Sequence, residues 1–278
     1  MYKTGNVRKL YIIAKIPKRN GSKRILEIPT KSLKKFQRKI LEEVLYKFGP
    51  HKAAHGFVKN RSPLTNAKVH VKAAIIIKLD IRDFFRRTKK WTIKSAMDSA
   101  KTRMSLSDED IAQLLEYTMH EGHLPTGAPT SPALGNICLH RMDTELYKYC
   151  RSHNLRYTRY ADDITISSKK RIDKSEIGHI VTKVQALLKE RGHVLRYDKI
   201  RIFSRKNRME VTGVVINEKP NISKKYRANV RAAIHQAKDG NDIEKIEGRI
   251  SWVNQIAPHH AGKLQSQLLQ KKQALGLN

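Results

Sequence analysis

Residues 156–168 read RYTRYADDITISS, with Asp162 and Asp163 at the centre. Ile164 and Ile166 alternate with Thr165 and Ser167, the period of a half-buried strand, so Ala161-Asp162-Asp163 falls on a tight turn between two strands. Adjacent carboxylates on such a turn repel each other, and withdrawing them from water raises their pKa unless a cation compensates. Taken alone, an Asp-Asp pair more often does no more than shape a solvated turn.

Upstream, the run Ala74-Ile75-Ile76-Ile77, continuing through Lys78 to Leu79, is short and β-branched. It predicts a strand buried on both faces that ends at Asp80. If that strand neighbours the Asp162 turn, three carboxylates meet, and hard oxygen ligands in that number suit Mg²⁺. Two such ions can polarise an attacking hydroxyl, neutralise the charge on a phosphoryl group in transfer and stabilise departing pyrophosphate.

The rest of the chain supplies a frame. Two strands are predicted near 11–16 and 24–28, joined by a basic Asn20-Gly21 turn. Leu33, Phe36, Ile40, Leu41, Val44, Leu45 and Phe48 then recur at helical spacing until Gly49-Pro50. Residues 106–121 read as helix, and Gly122 to Pro132 as a loop leading into a helix with Leu134, Ile137, Cys138, Met142 and Leu146 inward. A helix from about Lys174 to Arg191, with Asp173 and Glu176 spaced as a capping box and Gly192 as its stop, precedes strands near 194–203 and 210–216. From Ser223 the chain is helical and basic.

Charge narrows the partner. Lys plus Arg number 57 against 25 Asp plus Glu in 278 residues, a net +32. Solubility of a small domain asks for a magnitude of about 2 to 8, so an excess this large points to a polyanion, a nucleic acid being the natural one. Generic basicity of the ribosomal-protein kind remains the alternative on charge alone. With 39% hydrophobic residues the chain can bury a sizeable core. No apolar run approaches the roughly 20 residues of a membrane span and MYKTGNVRKL lacks a signal-peptide core, so no membrane partner and a cytoplasmic location are expected. Cys138 and Cys150 have no metal-site spacing around them.

The succession IKLDIRDFF (77–85), LPTGAPTSPALGN (124–136) and YTRYADDITIS (157–167) resembles the A, B and C motifs of reverse transcriptases. IPKRNGSKRILEIP (16–29) is similar to the family's first motif, and Lys199 to its motif D lysine. SPLTNAKVH resembles the NAxxH element of bacterial retron reverse transcriptases at Asn66, Ala67 and His70, and VTGVVIN their VTG element at Val211, Thr212 and Gly213. The resemblance implies an α+β right-hand polymerase. Fingers would cover 1–72 with part of 86–120. A palm of antiparallel sheet with packed helices would cover 73–217, and a small helical RNA-binding thumb 218–278. It implies an enzyme copying part of its own structured noncoding RNA (msr-msd), from a guanosine 2′-hydroxyl primer, into 2′-5′ branched RNA–DNA (msDNA), in phage defence beside an effector protein. Another bacterial reverse transcriptase, group II intron-like or defence-associated, and a catalytically silent RNA-binding scaffold are the alternatives. Thr126 stands where many members carry Gln, Arg196-Tyr197 replaces an Asn-rich stretch, and the helical extension that often precedes the first motif is expected to be missing.

By resemblance, Asp80, Asp162 and Asp163 are catalytic. Together with Ile81 they would hold two Mg²⁺ ions, with Mn²⁺ as a substitute. Lys18, Arg19, Arg24, Phe85, Gly127 and Lys199 would serve the dNTP. Phe85 would block a 2′-hydroxyl and Lys199 would donate a proton to pyrophosphate, unless Phe85 is core or Lys199 a plain surface lysine. The arginines could grip phosphate in bidentate fashion, or the basic turn could be a solvated edge. Gly127 permits close backbone approach or is a plain turn glycine. Asn66 and His70, spaced i, i+4, would touch RNA or be structural, and Val211, Thr212 and Gly213 are grouped with them. At 100° per residue, Lys224, Arg227, Arg231, His235 and Lys238 form one stripe of a thumb helix, opposite Tyr226, Val230, Ala233 and Ala237. That stripe lacks the acidic i, i+4 partners of an ordinary solvated face.

Overall fold

A computed structural model describes residues 10–17, 21, 23–99 and 104–277. The hairpin of β1 (Tyr11–Pro17) and β2 (Lys23–Pro29) is antiparallel, with Tyr11 opposite Pro29 and Pro17 opposite Lys23. Helix α1 (Lys31–Glu43) follows and gives way to a 3-10 turn at Leu45–Phe48. The helix expected up to Phe48 therefore tightens in its last turn, and Gly49, at φ 68°, ends it.

Helix α2 (Pro63–Lys68) is set by a capping box, Ser62 accepting from the Thr65 N–H and Thr65 Oγ1 accepting from the Ser62 N–H. It leads into β3 (Ile75–Asp80), short helices α3 (Phe84–Arg87) and α4 (Lys90–Asp98), α5 (Asp108–Thr118) and the long α6 (Ser131–Ser152). Then come β4 (Leu155–Tyr160), β5 (Asp163–Ser168), α7 (Lys174–Lys189) and β6 (Arg201–Ser204). The strands form one antiparallel sheet in the order β4-β5-β3-β6. Ile77, Leu79, Ile164 and Ile166 of its inner face pack with Leu139, Met142 and Leu146 of α6 and Ile180, Val184 and Leu187 of α7. The opposite face, at the β3–β5 end, carries Asp80 and Asp163 as cross-strand partners.

Two predicted strands differ. The stretch 194–203 is broken by a 3-10 turn at Tyr197–Lys199, and only Arg201–Ser204 joins the sheet. The stretch 210–216 is a hairpin of two-residue strands, β7 (Glu210–Val211) and β8 (Val214–Val215), because Thr212 (φ 47°) and Gly213 (φ 80°) are both left-handed, as a two-residue turn demands. At α7 Asp173 accepts from the Glu176 N–H, the half of the predicted box that caps the helix.

Three helices close the chain: α8 (Lys224–Gln236), α9 (Gly240–Ile256) and α10 (Pro258–Ala274). Val230 and Ile234 of α8, with Ala237 just past its end, meet Ile246, Ile250 and Val253 of α9 and Leu264 and Leu268 of α10. The same core continues through Met209, Val211, Val214 and Ile216 to Ile76, so the helical bundle is seated on the sheet by the β7–β8 hairpin. None of the helices among the described residues is long and apolar enough to cross a membrane. Cys138 and Cys150 are free and buried.

Candidate active site

The turn bearing the paired aspartates is held in a conformation that its sequence would not choose unaided. Ala161 has φ 58°, in the left-handed region that costs an L-residue roughly 1–2 kcal/mol. Its carbonyl accepts from Arg159 Nη1 at 2.9 Å. Arg159 is wholly buried, and its Nε and Nη2 grip the Asp143 carboxylate at 2.9 and 2.7 Å. Nη2 also reaches Asn136 Oδ1 at 3.1 Å, and Tyr157 donates to Asp143 at 2.5 Å. Burial would lower the guanidinium pKa, but Asp143 reverses this and keeps Arg159 protonated. Asn136 in turn donates to the Gly56 carbonyl at 3.1 Å. A Cβ on Gly56 would lie 2.4 Å from Ala161 N, so only glycine lets this loop pack on the turn. Sequence reasoning missed Arg159, Asp143 and Asn136. An Arg and an Asp 16 residues apart carry no local pattern, and the one available signal was an arginine at an inward position of a buried strand.

Across the sheet, the Ile81 N–H donates to the Asp162 carbonyl at 3.0 Å and so ties β3 to the turn. The Ile81 side chain is buried, which leaves its main-chain carbonyl as the group able to meet a metal. Asp80 is engaged by Lys199 Nζ at 2.8 Å and by Arg196 Nε at 3.6 Å. Desolvation raises the pKa of both Asp162 and Asp163. Asp80 adds to the rise at Asp162, and Asp162 adds to it at Asp163. Lys199 offsets part of this at both, aided by Arg24 at Asp162 and Lys78 at Asp163. Beside them a cavity of about 280 Å³ is lined by Lys78, Asp80, Asp163, Lys199, Arg201 and Phe203. Carboxylates at the end of a sheet that raise one another's pKa, with their charge only partly compensated, fit a hard divalent cation by donor chemistry.

The family described as reverse transcriptase (RNA-dependent DNA polymerase) matches residues 16–216, which contain the whole of this site. The chain belongs to the reverse transcriptases. It is 32% identical to the retron Mx162 reverse transcriptase of Myxococcus xanthus over 89% of its own length, and spans 58% of that relative. It is 30% identical to the retron Ec86 reverse transcriptase of Escherichia coli, covering 87% of this chain and 75% of the relative. Apo telomerase from Candida tropicalis shares the fold, with a TM-score of 0.61 at 12% identity over 94% of this chain and 58% of that one. Reverse transcriptases use divalent metal ions, which agrees with the donor set.

In this reverse transcriptase Phe84 is buried against α6, whereas Phe85 stays half-exposed, 5.1 Å from the Phe84 ring and 6.2 Å from Phe57. Of the two phenylalanines, Phe84 is therefore core. Arg24 is exposed on β2 and acts electrostatically on Asp162. Lys18 and Arg19 lie outside the described residues. Gly127 meets protein: its N–H donates to the Glu27 carbonyl at 3.2 Å, and a Cβ there would lie 2.7 Å from that oxygen. Its close approach in this structure is to the backbone of β2. Neighbouring Thr126 has the same bias, its Oγ1 donating to the Ile25 carbonyl at 2.9 Å and accepting from the Glu27 N–H at 3.3 Å.

The retron-type elements lie largely inside the fold. His70 is wholly buried, with Nδ1 2.7 Å from Ser167 Oγ and Nε2 2.7 Å from Thr158 Oγ1. It has no nitrogen left for RNA, and burial pushes its pKa down to about 3. Val211 is core, and Asn66 is buried and donates to Thr212 Oγ1 at 3.4 Å. Thr212 donates onward to the Pro63 carbonyl at 2.8 Å. The two elements touch each other, and of the five residues Gly213 alone is exposed. On the C-terminal helices, Lys224, Arg231 and Lys238 are exposed and Arg227 is half-buried beside His260. Lys224, Arg227 and Arg231 join His260, Lys263 and Gln267 around a cavity of about 400 Å³.

Proposed function

We propose that this chain is the RNA-directed DNA polymerase of a retron, acting in the cytoplasm. On this reading it copies part of its cognate msr-msd RNA into 2′-5′ branched msDNA from dNTPs, and works beside an effector protein in antiphage defence. The observation that carries the polymerase reading is the pairing of Asp80 with Asp163 across β3 and β5, with Asp162 on a turn anchored through Arg159. The retron reading rests on the relatives and on the contact between the NAxxH and VTG elements.

Fingers at 1–72 with part of 86–120, palm at 73–217 and thumb at 218–278 are the proposed divisions. Asp80, Asp162, Asp163 and the Ile81 carbonyl would hold two Mg²⁺ ions, which when bound would activate the primer hydroxyl and neutralise phosphate charge. Arg24, which acts electrostatically on Asp162, would meet phosphate oxygens, and Phe85 would exclude a ribose 2′-hydroxyl. Lys199 Nζ, already within hydrogen-bonding distance of Asp80, would deliver a proton to departing pyrophosphate.

The test is Mg²⁺-dependent primer extension on an RNA template, beside sequencing of the nucleic acid that copurifies with the protein. Extension lost in Asp162→Asn while RNA binding persists supports the polymerase. Binding without extension by the unmodified protein would make it a silent scaffold. Copurified random cellular RNA with no branched DNA would remove the retron assignment and leave the polymerase.

A further inference from the structure

Between α5 and the loop that enters α6, the segment His120-Glu121-Gly122-His123 folds as a two-residue turn. His120 and His123 exchange main-chain hydrogen bonds at 2.9 and 3.0 Å, with Glu121 (φ 47°) and Gly122 (φ 75°) both left-handed. The turn brings both imidazoles against Glu27 of β2, whose Oε1 lies 3.1 Å from His120 Nδ1 and 2.8 Å from His123 Nε2. All three residues are buried. Among the described residues, these are the three His, Cys, Asp or Glu whose ligand atoms gather within 4.8 Å of one another.

Proton accounting at His123 makes this more than an ordinary hydrogen bond. Its Nε2 faces a carboxylate oxygen, and its Nδ1 faces the Glu121 carbonyl at 3.3 Å. Both neighbours only accept, and a neutral imidazole has one N–H, so one of the two contacts would set lone pair against lone pair. The conflict ends if the ring is an imidazolium, or if a metal ion takes the place of the proton on Nε2 while Nδ1–H donates to the carbonyl. The second arrangement is the one found at metal-bound histidines, where the far ring nitrogen is fixed by a carbonyl or carboxylate. Glu27 is supported in the same sense, since its Oε2 accepts from the Thr126 N–H at 3.3 Å and leaves Oε1 to the cluster.

We propose that Glu27 Oε1, His120 Nδ1 and His123 Nε2 form a zinc site that fastens the β1–β2 hairpin to the loop carrying Thr126 and Gly127. Two imidazoles and a carboxylate suit Zn²⁺ rather than Mg²⁺, which prefers oxygen throughout. A cavity of about 370 Å³ lined by Tyr11, Ile13, Ile25, Glu27, Arg86 and Thr126 opens beside the cluster, giving ion and water access and a fourth ligand from solvent. The ion would act on architecture. It joins β2 to the loop where Thr126 and Gly127 already bond to the β2 backbone, and so sets the height of the hairpin above the aspartates.

The experiment uses the full chain, stripped of metal, in excess Mg²⁺ so that the aspartates are saturated. Zn²⁺ is titrated in competition with a chromogenic chelator, and Co²⁺ is used as a spectroscopic stand-in. One tight equivalent is expected, with the strong visible absorption of four-coordinate cobalt. It should be retained in Asp162→Asn. In His123→Asn and in Glu27→Gln the affinity should fall by more than the roughly 10- to 100-fold that accompanies loss of an outer-shell partner. Should a variant fail to fold, the cobalt spectrum of the unmodified chain and the retained equivalent in Asp162→Asn decide the matter. No equivalent competing with the chelator, or one that survives in folded His123→Asn, would overturn the proposal and leave His123 as an imidazolium paired with Glu27.

Discussion

Lys199 Nζ donates to Asp80 Oδ2 at 2.8 Å although 119 residues separate the two in sequence. The pairing sets a cation against a proposed metal ligand, and two roles can be proposed for Lys199, neutralising that carboxylate or acting as an acid toward a leaving group. The two roles separate by substitution. Lys199→Ala is expected to lower the rate of nucleotide addition about 100-fold, the lower range for a general acid, and Lys199→Arg to restore charge but little rate. Single-turnover incorporation across pH reads the outcome, and full rescue by Arg would assign Lys199 to neutralisation alone.

Phe85 is half-exposed and rests on Phe84, and the absence of a side chain at Gly135 makes room for the Phe84 ring. Phe85→Val should therefore fold and should raise ribonucleotide use relative to deoxyribonucleotide use. Competing rNTP and dNTP incorporation measures it. Unchanged selectivity in an active variant would return Phe85 to packing.

Arg159 and Asp143 make a fully buried ion pair. Arg159→Met alone strands the Asp143 charge and should cost about 3–5 kcal/mol, whereas the double change Arg159→Met with Asp143→Leu should regain most of this. DNA synthesis should stay depressed in the double variant, because the Ala161 carbonyl has lost its donor in both. Thermal unfolding and primer extension together test the split, and recovery of both would make the pair purely structural.

His70 is neutral in the fold, with a pKa lowered by burial from 6.5 to about 3. The unfolded chain takes up a proton as pH falls below 6.5 and the folded chain does not, so stability is complete above 6.5 and declines progressively toward pH 3. At about 1.4 kcal/mol per pKa unit the loss is a few kcal/mol, and His55 and His193, both lowered to about 4, deepen it. His70→Gln keeps hydrogen-bonding capacity without titrating. Its stability should fall less steeply over this range, by about one proton's worth of slope, as read from denaturant unfolding at stepped pH.

On α8, the double reversal Arg227→Glu with Arg231→Glu changes the walls of the basic cavity and leaves Val230 and Ile234 in the core. Reversal of exposed Arg231 should shift stability by about 0.5 kcal/mol or less, and Arg227→Glu by about 1 kcal/mol more, since it loses the hydrogen bond to His260. RNA affinity should drop far more, and its log–log dependence on salt should flatten by roughly one unit per lost phosphate contact, or somewhat less on single strands. Binding isotherms at several salt concentrations decide it. An unchanged slope would show that this stripe faces only water.

Much of the framework was legible because period and punctuation act locally. The β-branched run ending at Asp80, the alternation after Asp163 and the inward residues of α6 each announce their element within a dozen residues. What escaped is relational. Nothing local shows that the nitrogens of His70 are consumed by Ser167 and Thr158, that Gly127 leans on β2, or that Arg159 holds the aspartate turn through Ala161. Spacing that resembles a motif fixed where Asn66, His70 and Val211 sit in the chain. Only packing could tell that they join elements inside the fold.

The strand order β4-β5-β3-β6 has a consequence for biogenesis. During synthesis β3 emerges with its Ile75-Ile76-Ile77 run, yet its neighbour β5 exists only after residues 81–162 have followed, and β6 only after residue 200. Until then this apolar strand has open edges, the condition under which nascent chains pair with one another. Non-local pairing of this kind also folds slowly. Recombinant yield should therefore depend on translation speed and temperature more than on the stability of the finished molecule.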